Sequence, residues 1–173
     1  MPKDYSHLIT HCPDFPAPGV LFREISPLLF DVEARSEILE AFGTFIREKN
    51  IDTIAGVDAR GFIIGGMLAE KYQLPFVMIR KDGKLPDGLV AKESYDYEYN
   101  SATLAIRKDI LRNHRVLVTD DVLATGGTLS AALRLAKDNG ASEVFGAVLI
   151  ELKSLNGRAK LAPYKIFSAI QYE

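Results

Sequence analysis

The sequence predicts an α/β fold with a mainly parallel central sheet flanked by helices. Three observations predict it. Apolar, β-branched runs alternate with stretches of helical period, the pattern of βαβ units. One such run, 116–119, leads through two aspartates and a glycine loop into a helical stretch. The 173 residues contain 47% hydrophobic and 25% charged side chains, with no internal repeat or low-complexity tract. That composition suits a soluble globular chain, one domain over 1–173, large enough to bury a sizeable core.

Residues 12–19, Cys-Pro-Asp-Phe-Pro-Ala-Pro-Gly, are excluded from regular structure by three prolines and a glycine, and form a stiff extended segment. Residues 33–49 place Ile38, Leu39, Phe42, Phe45 and Ile46 on one face of an amphipathic helix. Residues 51–57 are a buried strand. Residues 61–72 are a glycine-rich helix that packs closely on its neighbour, and 74–79 are another strand. Residues 80–100 are long, charged and tyrosine-rich, with weak periodicity. Segments longer than about 12–15 residues in a compact domain are usually lids or binding loops. This one is read as a mobile lid, with a solvated hairpin as the plainer alternative. Residues 101–106 alternate like a strand, and 144–150 form the last apolar one. Ligands of such sheets bind beyond the carboxyl ends of the strands, which brings the ends of 54–57 and 116–119 to one edge.

The run 116–128, Val-Leu-Val-Thr-Asp-Asp-Val-Leu-Ala-Thr-Gly-Gly-Thr, carries the chemistry. Asp120 and Asp121 stand at the carboxyl end of the strand 116–119. Carboxylates there accept hydrogen bonds from vicinal hydroxyls. Ala124, Thr125, Gly126, Gly127 and Thr128 offer backbone N–H groups, hydroxyls and a helix N-terminus to a phosphate. Helical period follows through Leu129, Leu133 and Ala136, and Gly140 sits where a helix end favours a left-handed residue. No lysine follows Gly127, so this is not a Walker loop, and no G-x-G-x-x-G is present. The arrangement suits a phosphorylated diol. A second constellation, 56–62, ends one strand and opens a helix at Arg60, which suits another anionic group such as pyrophosphate.

The two acids before Ala-Thr-Gly-Gly-Thr resemble the signature of the phosphoribosyltransferases that use phosphoribosyl pyrophosphate. Asp14-Phe-Pro-Ala-Pro-Gly-Val-Leu-Phe-Arg-Glu-Ile-Ser-Pro27, Val57-Asp-Ala-Arg-Gly-Phe62, Ile79-Arg-Lys-Asp-Gly-Lys-Leu-Pro86, Glu151-Leu-Lys-Ser-Leu-Asn-Gly-Arg158 and Gln171-Tyr-Glu173 extend the resemblance to the adenine phosphoribosyltransferases. It implies a type I phosphoribosyltransferase-like fold with a lid at about 80–100 and a small N-terminal hood segment. It implies transfer of phosphoribose from phosphoribosyl pyrophosphate to adenine, giving AMP and pyrophosphate, by a cytoplasmic homodimer. Mg²⁺ would be carried by pyrophosphate and ribose, with no direct protein ligand. The 5′-phosphate falls to Ala124–Thr128 and the ribose to Asp120 and Asp121. Pyrophosphate falls to Asp58, Ala59, Arg60, Arg80, Lys81 and Lys84, with a cis peptide between Asp58 and Ala59. Adenine falls to the backbone of Leu21 and Arg23, with its ring between Phe22 and Leu152 or Leu123. Glu98, Arg60 and Asp121 are the implied catalytic residues, and Tyr99 covers the site. Asp82 departs from the family pattern: it either weakens pyrophosphate contacts or points to solvent. The alternatives are an enzyme for another purine, or a regulator that senses phosphoribosyl pyrophosphate without turnover.

Net charge of −2 gives no electrostatic footprint for nucleic acid or membrane, and counts against such a regulator. The single cysteine, Cys12, excludes an internal disulfide and a cysteine zinc cluster. His7 and His11 lack a third ligand and read, with His114, as surface residues.

Overall fold

The structure, a computed structural model, describes residues 3–97 and 100–173. The chain forms two compact units, 1–41 and 42–173. In the first, strands β1 (Thr10–Pro13) and β2 (Leu21–Glu24) pair antiparallel, Thr10 opposite Glu24 and Pro13 opposite Leu21. The proline-rich segment is the loop of this hairpin, with a cis Phe15–Pro16 bond and Asp14 and Gly19 at positive φ. Asp14 Oδ1 closes the loop by accepting from Gly19 N–H at 2.7 Å. The short helix α1 (Ser26–Phe30) carries Pro27 in its first turn, where a missing N–H costs nothing. Helix α2 (Val32–Glu48) spans the boundary at residue 41. Its expected apolar face is buried at Ile38, Leu39, Phe42 and Ile46.

The second unit holds a seven-stranded sheet. Its strands are β3 (Thr53–Val57), β4 (Phe76–Lys81), β5 (Val90–Tyr97), β6 (Asn100–Arg107), β7 (Arg115–Leu123), β8 (Glu143–Leu152) and β9 (Ile166–Tyr172), in the order β5-β6-β4-β3-β7-β8-β9. Pairs β4–β3, β3–β7, β7–β8 and β8–β9 are parallel, and β4–β6 and β6–β5 are antiparallel. All five residues of β3 are buried, as expected of a central parallel strand covered on both faces. Helices α3 (Arg60–Tyr72) and α4 (Gly127–Asp138) are the crossovers that follow β3 and β7. The core gathers Ile79, Leu104, Ile106, Val116, Val118, Leu129, Leu133 and Val148, among others.

The glycines of α3 explain its close approach. A Cβ at Gly61 would sit 2.4 Å from Thr119 O, and one at Gly65 would sit 2.7 Å from Thr119 Oγ1. Buried Thr119 uses the proximity, donating its hydroxyl to Gly61 O at 3.1 Å. Gly140 adopts φ +94 after α4, as its position predicts.

One expectation is corrected and two elements are added. The strand 116–119 does not end at Thr119; β7 continues to Leu123, because β8 runs beside it to Leu152 and supplies backbone partners. Asp120 and Asp121 therefore lie within the strand. Within segment 80–100, Val90–Tyr97 is a strand paired along its length with β6, as in the hairpin that is the plainer alternative for this segment. The sheet also gains β9, for which the sequence reading has no strand.

Candidate active site

The carboxyl ends of β3 and β7 lie side by side, with Gly56 opposite Thr119 in parallel register. The chain leaves β3 through Asp58, crosses a cis peptide to Ala59 as the resemblance implies, and enters α3 at Arg60. From that helix N-terminus Arg60 reaches across to β7, a terminal guanidinium nitrogen lying 2.8 Å from Asp121 Oδ2. The contact is an ion pair without hydrogen-bond alignment. Asp121 is only 6% exposed, so Arg60 supplies the counter-charge that its burial requires. Arg80, at the end of β4, makes the parallel pairing with Asp58, Nε to Oδ2 at 3.3 Å. Two carboxylate–guanidinium pairs thus stand at the strand ends. Lys81 and Lys84 are exposed beyond them.

The two aspartates have different surroundings. Neighbours on a strand face opposite ways, and Asp121 alone turns onto Arg60. Asp120 is half-buried, and its Oδ1 accepts from Asp121 N–H at 2.9 Å. Burial pushes the Asp120 carboxyl well above the usual carboxylate range, and the adjacent charge of Asp121 pushes the same way. The ladder between β7 and β8 pairs Asp120 with Val148 and Val122 with Ile150, omitting Asp121. The register is unchanged on either side of it, so β7 runs straight through the acid pair.

After Leu123 the chain makes a tight turn at Gly126, φ +83, and α4 starts at Gly127. The first intrahelical bond runs from Ser130 N–H to Gly126 O at 2.9 Å. The N–H groups of Gly127, Thr128 and Leu129 thus precede any i to i−4 acceptor within the helix, and the helix dipole adds its positive end. This is an open helix N-terminus of the kind that suits an anion, on a helix of 12 residues.

The adenine candidates fall in different places. Leu152, at the end of β8, is half-buried. Leu123 is corrected: it is 1% exposed and packed in the core, because strand alternation turns it inward with Asp121. Val122, on the opposite side and half-buried, is the aliphatic that β7 leaves accessible. In the N-terminal unit, Leu21 is 43% exposed, Arg23 is half-buried, and Phe22 meets Phe15 edge-on at 5.2 Å between ring centroids. Glu98 and Tyr99 lie outside the described residues. Asp82 is exposed, pairs with Lys92 at 2.6 Å and accepts from Gly83 N–H, so it braces the 82–92 turn.

The model of the Phosphoribosyl transferase domain matches residues 33–172. An adenine phosphoribosyltransferase of Nitrosopumilus maritimus (strain SCM1) is 44% identical over 165 residues, covering 95% of this chain and 96% of the relative. The chain belongs to the adenine phosphoribosyltransferases. The Giardia lamblia adenine phosphoribosyltransferase, solved with 9-deazaadenine, superposes with a TM-score of 0.91 at 36% identity, over 96% of this chain and 95% of that one. The Trypanosoma brucei adenine phosphoribosyltransferase was solved with AMP, pyrophosphate and ribose-5-phosphate. It gives a TM-score of 0.83 at 28% identity, over 96% of this chain and 77% of its own.

For an adenine phosphoribosyltransferase, two further residues matter here that motif reading passes over. Gly157 packs backbone to backbone under the loop before α4: a Cβ there would lie 2.1 Å from Ala124 O and 2.9 Å from Gly126 N. Arg158 fixes that turn by donating to buried Glu151 through Nε at 2.7 Å, to Ser168 Oγ at 2.7 Å and to Ile166 O at 2.9 Å. The hydrogen bond from Arg158 and that from Ser168 hold the Glu151 carboxyl below its ordinary range, outweighing burial. Gly157 stands inside the quoted segment 151–158, but only its place in the fold reveals what it touches.

Proposed function

We propose that this protein transfers the phosphoribosyl group of phosphoribosyl pyrophosphate to adenine, releasing AMP and pyrophosphate. One observation carries the reading: the paired aspartates, the open N-terminus of α4 and the Asp58-Ala59-Arg60 turn share one edge of a parallel sheet. That edge offers acceptors for ribose hydroxyls between two anion-binding helix starts.

The 5′-phosphate is assigned to Ala124, Thr125, Gly126, Gly127 and Thr128, and the ribose hydroxyls to Asp120 and Asp121. Asp58, Ala59, Arg60, Arg80, Lys81 and Lys84 face the pyrophosphate, whose departure breaks the bond to the anomeric carbon. Adenine N9 forms the new bond, and the imidazole proton that the ring loses passes to Glu98. Glu98 acts near N7 as acid–base or polarising group, and Tyr99 covers the site against water. The anomeric carbon passes through an oxocarbenium-like state, which the acidic ribose site and the exclusion of water favour. The backbone at Leu21 and Arg23 reads the Watson–Crick edge of adenine, with Phe22 as a stacking surface. Leu152 and Val122 are the accessible aliphatics of the larger unit.

Mg²⁺ belongs to this reading. Among the described residues no group of three or more His, Cys, Asp or Glu side chains is placed to hold a metal. Asp58 and Asp121 already face arginines. The fitting donor set is the substrate's own pyrophosphate and ribose oxygens, hard ligands for a hard cation, with Asp120 and Asp121 acting through the hydroxyls. Bound there, the ion offsets charge on the leaving pyrophosphate.

The reading also includes one catalytic domain over 1–173, a lid at about 80–100 and a cytoplasmic homodimer. Phe76 and Met78 alternate along β4 and stay 37% and 45% exposed, apolar surface that a second copy would cover. The chain's single cysteine fits a reducing compartment.

The deciding assay is pyrophosphate release with adenine, hypoxanthine and guanine. Hypoxanthine reverses the donor and acceptor at positions 1 and 6, mismatching two hydrogen bonds at about 1–3 kcal/mol each. A preference for adenine of about 10²–10⁴ in kcat/KM is expected. Equal values would overturn the adenine reading and leave phosphoribosyl transfer standing. No pyrophosphate release with any of the three bases would favour a sensor without turnover.

A further inference from the structure

The hydroxyl of Thr128 is engaged from outside the phosphate cradle. Its Oγ1 donates to the Tyr95 hydroxyl oxygen at 3.2 Å. Tyr95 lies on β5, half-buried, with its ring packed against the core. Two positions earlier, on the same side of the strand, Glu93 Oε1 accepts from Arg134 Nε at 2.8 Å, and Arg134 also donates to Ser130 Oγ at 2.8 Å. Strand β5 is thereby fastened to α4 at two points, so the tyrosine–threonine contact is built in.

Each hydroxyl has one proton to give. A Thr128 that donates to Tyr95 has none left for an anion, whereas phosphate oxygens require donors. Reversing the pair removes the conflict: Tyr95 O–H donates to Thr128 Oγ1, and Thr128 O–H turns onto the phosphate. A phenol is intrinsically a stronger hydrogen-bond donor than an aliphatic alcohol, so Tyr95 is the better donor of the two. Donors aligned in series also polarise one another and strengthen the last bond.

We propose that Tyr95 is a positioning residue for the 5′-phosphate, orienting the Thr128 proton onto the anion. The proposal rests on the assignment of Ala124–Thr128 to that phosphate. It makes the hairpin strand β5 part of substrate recognition, through a residue that makes no contact with the sugar.

Calorimetric titration of ribose 5-phosphate into the parent, Tyr95→Phe, Thr128→Ala and the double variant tests it. Tyr95→Phe keeps the packed ring and removes only the hydroxyl. It should weaken binding about three- to tenfold, with the KM for adenine unchanged. In the Thr128→Ala background the same change should alter affinity by less than about twofold, because its effect passes through Thr128. An equal loss in both backgrounds would overturn the proposal, as would parental affinity in Tyr95→Phe. If the parent bound ribose as tightly as ribose 5-phosphate, the phosphate assignment would fall and the proposal with it. If the parent discriminates and Tyr95→Phe does not weaken binding, only the proposal fails.

Discussion

Gly157→Ala tests whether the floor of the phosphate cradle sets substrate affinity. The added methyl would lie 2.1 Å from Ala124 O, 2.9 Å from Gly126 N and 3.0 Å from Ala124 C. All three are backbone atoms, so no side chain can swing aside. Clearing 3.0 Å, below which such contacts do not occur, displaces the cradle or the 157–161 turn by about 0.9 Å. The turn resists, since Arg158 is held by Glu151, Ser168 and Ile166 O. The movement falls on Ala124–Gly126. Overpacking of this kind costs about 1–3 kcal/mol of stability. A misplacement of about 1 Å in a binding element costs on the order of 10²-fold in rate. The expected result is a roughly 10²-fold fall in kcat/KM for phosphoribosyl pyrophosphate, carried mainly by KM, with the KM for adenine unchanged. Gly66→Ala is the control: nothing lies within 4 Å of a Cβ there, and alanine in a helix should stabilise by about 0.5–1 kcal/mol. A Gly157→Ala enzyme with the parental KM for phosphoribosyl pyrophosphate would refute the reasoning.

Asp120→Asn should lower turnover yet raise the melting temperature at pH 7–8. The Asp120 carboxyl is held above its unfolded value by burial and by Asp121, so its contribution is full below the unfolded pKa and is lost as pH rises through the folded one. A variant no more stable than the parent at pH 8 would contradict this. At the opposite end of the sheet, burial raises the Asp52 carboxyl, but hydrogen bonds from His114, Arg115 N–H and Thr53 outweigh it and leave the group below its ordinary value. Its contribution is therefore present above the unfolded pKa of about 3.9 and is lost as pH falls through the folded one. Urea midpoints of Asp52→Asn should fall less steeply than the parent's below about pH 4, and parallel curves would count against the network. Glu98→Gln should reduce kcat at least about tenfold while leaving ribose 5-phosphate affinity unchanged; equal losses in both would make the residue structural.

Helices α2, α3 and α4 and strand β6 are legible in the sequence from the period of their apolar side chains, and β3 and β8 from short continuous apolar runs, the mark of strands buried on both faces. The phosphate cradle is legible because its chemistry is local: two acids, small residues and a helix start within one run of the chain. Strand β5 is not legible. Val-Ala-Lys-Glu-Ser-Tyr-Asp-Tyr shows little apolar alternation because it is the sheet's edge, paired only with β6 and held by that strand's backbone. Strand β9, at the other edge, pairs only with β8. The length of β7 is set likewise by its neighbour, and it is this length that separates Asp120 from Asp121 and turns Leu123 inward. The sequence by itself determined the family, the elements of clear apolar pattern and the kinds of group proposed for the site, since these depend on residue type and spacing along the chain. Only the tertiary structure decided that Arg60 neutralises Asp121, that Gly157 floors the cradle and that Tyr95 meets Thr128, 33 positions away. Those contacts depend on strand order and register, which long-range backbone pairing and core packing fix and which leave no local period to read.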